Sequence, residues 1–179
     1  RIRALRSGRP VHFARLRGPP SVRPAPPSLA SARGLILMGA STGGTQAIEA
    51  LLTKLPADTP PILIVQHMPA PFTRAFAARL DRCCAMQVVE AEDNAPVTRG
   101  VAYIAPGDSH LLVTACGGEL RTAIEHRARI HYQRPSVDVL FQSAASLRGV
   151  PIVALLLTGM GSDGADGMVA LREVGGTTI

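Results

Sequence analysis

At 179 residues, 46% of them hydrophobic, the chain can build a single domain that buries about two thirds of its unfolded surface, which excludes disorder throughout. Its longest apolar stretches, such as residues 150–157, are less than half the roughly 20 residues of a membrane-spanning helix, and aromatic side chains at 3% provide poorly for stacking on nucleic-acid bases. The formal charge of +6 is unevenly placed: residues 1–34 hold Arg1, Arg3, Arg6, Arg9, Arg15, Arg17, Arg23 and Arg33 and no acid, and the remainder is mildly acidic.

In chain order, residues 1–34 also hold six of the 15 prolines and show no helical or strand period. They read as a solvated tether rather than a nucleic-acid arm. From Gly34 onward, apolar runs alternate with helical spacing, the pattern of a parallel sheet with crossover helices. Residues 35–40, 62–66 and 152–157 are short apolar runs bounded by Gly or Pro and are expected as buried strands. Ala47, Ile48, Leu51, Leu52 and Leu55 recur at helical spacing, as do Phe72, Phe76 and Leu80, then Val137, Leu140, Phe141 and Ala144, and finally Met168, Leu171 and Val174. Residues 88–113 read as strand-rich, with turns at Asp93-Asn94 and Pro106-Gly107 and a β-hairpin. The expected fold is α/β: a doubly wound, mostly parallel sheet with helices on both faces. Gly175-Gly176-Thr177-Thr178-Ile179 reads as a helix end followed by another strand, so a truncated C-terminus is expected.

Gly39-Ala40-Ser41-Thr42-Gly43 fits G-x-S-x-G between a predicted strand and a predicted helix, the context in which that pattern lifts a serine clear of a sheet. Backbone N–H groups at the head of the following helix, Thr42 first, point toward negative charge developing beside Ser41. A glycine-rich turn serving only to reverse the chain is the plainer reading. His67 follows the second strand directly, at the carboxyl edge where open parallel sheets gather their sites. Neighbouring strands end about 5 Å apart, so Ser41 and His67 can meet. Asp163, just past the third apolar strand, can accept the second imidazole N–H; capping the helix beginning near Gly164 is its alternative role, and Asp166 competes for either.

The order Ser, His, Asp differs from the Ser, Asp, His order of α/β-hydrolases. The blocks GASTGG (39–44), QHMP (66–69), EAED (90–93), AYIAPGD (102–108), RPSVDVLF (134–141) and LTGMGSDGADGM (157–168) resemble the catalytic domain of the CheB chemotaxis methylesterase family. The resemblance covers residues 35–179 almost continuously and departs at Gln133, where the family often has histidine. It implies hydrolysis of glutamate methyl esters on the cytoplasmic helices of chemoreceptors, commonly with deamidation of receptor glutamines, without a metal or cofactor. On the matching positions it implies Ser41 as nucleophile, His67 as base, Asp163 as the carboxylate, and the backbone N–H groups of Thr42 and Met160 at the oxyanion. It further implies a cytoplasmic protein whose receiver domain shields the site. Residues 1–34 would then be an interdomain linker and residues 35–179 a C-terminally truncated catalytic domain.

Other candidates read as structural. Gly107-Asp108-Ser109-His110 is expected as a turn with Asp108 bracing the site, because three successive side chains cannot converge on one proton path. His12, His126 and His131 read as solvated surface. Cys83 and Cys84 are expected as buried small side chains on a helix, and the three cysteines form no C-x-x-C pair. Arg74 and Arg99 are ordinary surface charges or contacts to an acidic receptor. Two rival functions stay open: a glycine-rich nucleotide-binding module, for which both the G-x-G-x-x-G and the GK[ST] fingerprints fail, and a catalytically silent adaptor of the same fold.

Overall fold

The computed structural model describes residues 34–159 and 161–179. The tether expected over residues 1–34 falls almost wholly outside the described residues, and so does Met160. The elements are β1 (Leu35–Ala40), α1 (Gly44–Leu52), β2 (Ile62–Gln66), α2 (Ala70–Asp81), β3 (Gln87–Glu90), β4 (Val101–Ile104), β5 (His110–Cys116), β6 (Glu119–Glu125), α3 (Val137–Ala145), β7 (Ile152–Leu156), α4 (Ala165–Glu173) and β8 (Thr177–Thr178).

Six strands form a parallel sheet in the order β3-β4-β2-β1-β7-β8, and β5 and β6 pair separately as an antiparallel hairpin. Because side chains alternate across a strand, an apolar strand such as β1 serves two cores. Leu35 and Leu37 join one cluster with Leu111, Val113, Leu140, Phe141, Ala144 and Leu171. Met38 and Ala40 join the other with Ile48, Leu52, Phe76, Ala77 and Leu80. Helices α1 and α2 therefore cover one face, and α3, α4 and the hairpin cover the other, so helices lie on both faces as the sequence predicts.

The central strand β1 lies between β2 and β7. After β1 the chain turns into α1 on one face, and after β7 it turns into α4 on the other. The connections separate at the carboxyl ends of these strands and leave a crevice, the position where open α/β sheets hold their sites. Helix α3 forms the far wall. It buries Val137, Leu140, Phe141 and Ala144 at helical spacing, and each of the large side chains contributes about 1.5–3 kcal/mol on leaving water.

Candidate active site

Ser41 follows β1 in a tight turn. Its amide donates to Thr158 O (2.9 Å), and its carbonyl accepts from Gly44 N (2.8 Å) and Gln66 Nε2 (2.9 Å). Gly43 closes the turn at φ 79°, a left-handed conformation that glycine adopts without cost. Gly39 is required for a different reason: a Cβ there would overlap both methyl groups of Val137. Thr42 is exposed on the turn, and its amide donates to no other described residue.

His67 sits one residue beyond β2 and donates its own amide to Ala40 O (3.0 Å). The β1–β2 register pairs Ala40 with Gln66, so Ser41 and His67 are the next residues out on adjacent strands. Both line a cleft of about 250 Å³ that Thr158, Gly159, Gln133, His131, Ser162 and Asp163 complete. The imidazole is 11% exposed, and its Nε2 lies 2.7 Å from Asp163 Oδ2. Its Nδ1 is buried and has no hydrogen-bond partner among the described residues. Ser41 Oγ is in the cleft but not bonded to that nitrogen.

Asp163, with a side chain 4% exposed, does not cap its own helix: Gly164 holds the N-cap of α4 without a side-chain bond. Its carboxylate instead meets the N-terminus of α3. It accepts from Ser136 Oγ (2.6 Å), Val137 N (2.8 Å) and Asp138 N (3.1 Å), in addition to His67. Four donors and the positive end of a helix fit a fixed negative charge. Burial alone would raise the carboxyl pKa, but the bonds from His67, Ser136, Val137 and Asp138 outweigh it and hold the group below the ordinary 3.8. Asp163, not Asp166, reaches the imidazole.

Three contributors were missed in the sequence. Ser136 caps α3 through Val139 N (3.4 Å) and binds Asp163 with its proton; a serine directly ahead of an apolar helical run was the available signal. Gln66 bridges the turns after β1 and β2 through Ser41 O and His67 O. His110, fully buried, places Nε2 3.0 Å from Ala128 O and accepts Ser136 N at Nδ1 (3.2 Å). Burial pushes its pKa below the ordinary 6.5, so it serves as a neutral brace. The adjacent residues diverge as expected, Ser109 toward His126 (3.1 Å) and Asp108 toward Arg134 (2.6 Å).

Several peripheral expectations change. Cys83 is exposed and Cys84 half-buried beyond the end of α2, because the helix stops at Asp81 before either can turn inward. Arg74 pairs with Glu90 (3.1 Å) and Arg99 with Asp58 (3.6 Å). His131 is exposed but lies 3.2 Å from Asp138, so it is more than solvated surface. His12 lies outside the described residues.

The sequence model for the CheB methylesterase family matches residues 36–179. The chain belongs to that family. A CheB methylesterase catalytic domain from Thermotoga maritima superposes with a TM-score of 0.78 at 39% identity, covering 81% of this chain and 77% of that one. A protein-glutamate methylesterase/protein-glutamine glutaminase of Cupriavidus pinatubonensis is 53% identical over 82% of this chain and 41% of its own length. One from Dechloromonas aromatica is 44% identical over 99% of this chain and 53% of its own. The chain thus spans about half the length, or less, of these curated relatives. CheB membership agrees with the α/β architecture and with the blocks that suggested it. No helix among the described residues is long and apolar enough to cross a membrane.

Proposed function

We propose that this chain hydrolyses glutamate γ-methyl esters on the cytoplasmic helices of chemotaxis receptors, and that Ser41, His67 and Asp163 perform the reaction. The observation that carries the reading is the state of His67. Its Nε2 is held by Asp163, while Nδ1 is buried, unbonded among the described residues, on a side chain that lines the same cleft as Ser41. A rotation of the serine hydroxyl toward Nδ1 satisfies the one open position on the ring, and apo hydrolases commonly tighten this contact only when substrate binds.

His67 Nδ1 takes the Ser41 proton as Oγ attacks the ester carbonyl, and Asp163 stabilises the imidazolium that results. Thr42 N–H faces the tetrahedral oxygen, joined by Met160 N–H on the strength of the family resemblance. Collapse breaks the bond to methoxide, which leaves as methanol with the proton from His67. Water then attacks the acyl-serine with the same base and releases glutamate. General base assistance is worth about 10²–10⁴-fold and each oxyanion donor about 10²–10³-fold, a scale sufficient for ester hydrolysis by side chains and backbone. Deamidation of glutamine follows the same path with ammonia as leaving group, and relatives carry both activities in their names. In the cytoplasm the partners are the receptor helices and, in a full-length protein, a receiver domain.

The test is methanol release from methylated receptor by the purified chain and by Ser41→Ala. Release by the first and not the second supports the reading. Equal release removes Ser41 from its role, and none from either leaves the silent-adaptor reading standing.

A further inference from the structure

Beside the cleft, three side chains from three separate elements converge. His131 comes from the strap between β6 and α3, Asp138 from the first turn of α3, and Asp166 from the first turn of α4. One ligand-type atom from each lies within 4.8 Å of the other two. Asp138 is 2% exposed, which makes its chemistry unusual. Its Oδ1 accepts the amide of Gly167 (2.7 Å), whereas Oδ2 is buried with no hydrogen bond from any described residue. His131 Nε2 is 3.2 Å from that oxygen but off the hydrogen-bond line.

We infer that His131, Asp138 and Asp166 form a binding site for a zinc-class divalent transition-metal ion. Zinc takes nitrogen and carboxylate oxygen at about 2.0–2.2 Å in tetrahedral geometry, which sets two ligand atoms on one ion roughly 3.3 Å apart. The separation of His131 Nε2 and Asp138 Oδ2 is 3.2 Å, so these two atoms already stand at the bite of a single ion. Asp166 is exposed and completes the set by a side-chain rotation. Imidazole with two carboxylates suits borderline ions such as zinc better than magnesium or calcium, which prefer oxygen alone.

The outer shell is also in place. Gly167 N fixes Asp138 through Oδ1 and leaves Oδ2 to the ion, and Ser162 Oγ stands 3.4 Å from His131 Nδ1, which directs Nε2 inward. A Cβ on Gly167 would press into Phe141 Cβ, so α3 and α4 meet closely where their two carboxylates face each other. A bound cation offsets that like-charge approach. It also ties the strap to both helices, and His131 and Gln133 of the strap line the cleft. No metal-ligand pattern shows in the sequence, because positions 131, 138 and 166 meet only in the fold.

The test strips the purified chain with chelator and titrates it with zinc by calorimetry and with cobalt(II) by visible absorption. His131→Ala and Asp166→Asn remove exposed ligands and should leave the far-UV spectrum unchanged; a variant with all three cysteines replaced by serine removes thiolate binding. The expected result is one ion per chain, affinity lowered at least about tenfold in either ligand variant, the lower bound of losing even an outer-shell partner, and unchanged binding in the cysteine-free variant. Absence of saturable binding, binding that survives both ligand substitutions, or binding lost with the thiols would overturn the proposal.

Discussion

His67 and Asp163, separated by 96 positions in the chain, face each other through Nε2 and Oδ2 at 2.7 Å. In the chymotrypsin arrangement the carboxylate holds Nδ1 and the serine addresses Nε2; in the arrangement proposed for this chain the nitrogens exchange roles. Asp163 therefore fixes the tautomer that carries its proton on Nε2. Asp163→Asn should lower the rate by roughly 10⁴-fold, the scale seen when a triad aspartate loses its charge. Initial-rate measurements on purified variants check this, and ¹⁵N shifts of His67 should show the protonated nitrogen changing.

The same carboxylate links stability to acid. Its folded pKa lies below the ordinary value of 3.8, so above that value the group contributes its full share. As pH falls toward the lowered folded value the unfolded chain takes up the proton first, and that share is lost. Denaturant midpoints of the unaltered chain should therefore drop more steeply below about pH 4 than those of Asp163→Asn.

Ser136→Ala removes both the cap of α3 and the shortest bond to Asp163. The expected cost is about 1 kcal/mol of stability from the cap, with a fall in kcat at little change in KM, because in the proposed triad the residue positions Asp163 without touching substrate. Urea melts and steady-state kinetics separate the two effects.

His110 is a neutral brace between Ser136 N and Ala128 O. With its folded pKa lowered from 6.5, the unfolded chain binds a proton that the native chain refuses. Stability should hold above that value and decline as pH falls from about 6.5 toward the lowered folded pKa. An NMR titration should place the His110 midpoint below the ordinary 6.5. A midpoint at or above that value would contradict the buried, neutral assignment.

Gly39→Ala pushes a methyl group into Val137, the first residue of α3, whose amide holds Asp163. Overpacking of this kind costs about 1–3 kcal/mol. Turnover should fall along with the melting temperature, and Val137→Ala in the same chain should restore part of both.

The central elements were legible because their burial is written into short runs. β1 and β2 occupy the expected residues, and β7 stops one residue sooner than its apolar run, at Leu156. Helices α1, α2 and α4 begin two or three residues ahead of their apolar spacing, since a first turn is set by caps and turns rather than by core contact. The second arm of the hairpin, β6, lies beyond the strand-rich middle because Glu119, Arg121 and Glu125 dilute its pattern. The signal that would have found it is Gly117-Gly118, where both residues have positive φ, the conformation of a two-residue hairpin turn. At the candidate site, Ser41 and His67 each follow directly on a strand, and Asp163 stands in the turn between β7 and α4, so all three could be singled out from the sequence. Ser136 and His110 reach it only through the packing of α3 and β5, which no local pattern encodes.

The N-terminus of α3 grips Asp163, and that helix is kept in place by Phe141 and Leu140 on its inward side. The alignment of the proposed reacting groups is thus inherited from the seating of one helix on the sheet. Loosening that seat, for instance by trimming a ring well away from the cleft, should blunt the proposed hydrolysis while the chain still looks folded, so loss of turnover in such variants is an early reading of mechanical slack rather than of damaged chemistry.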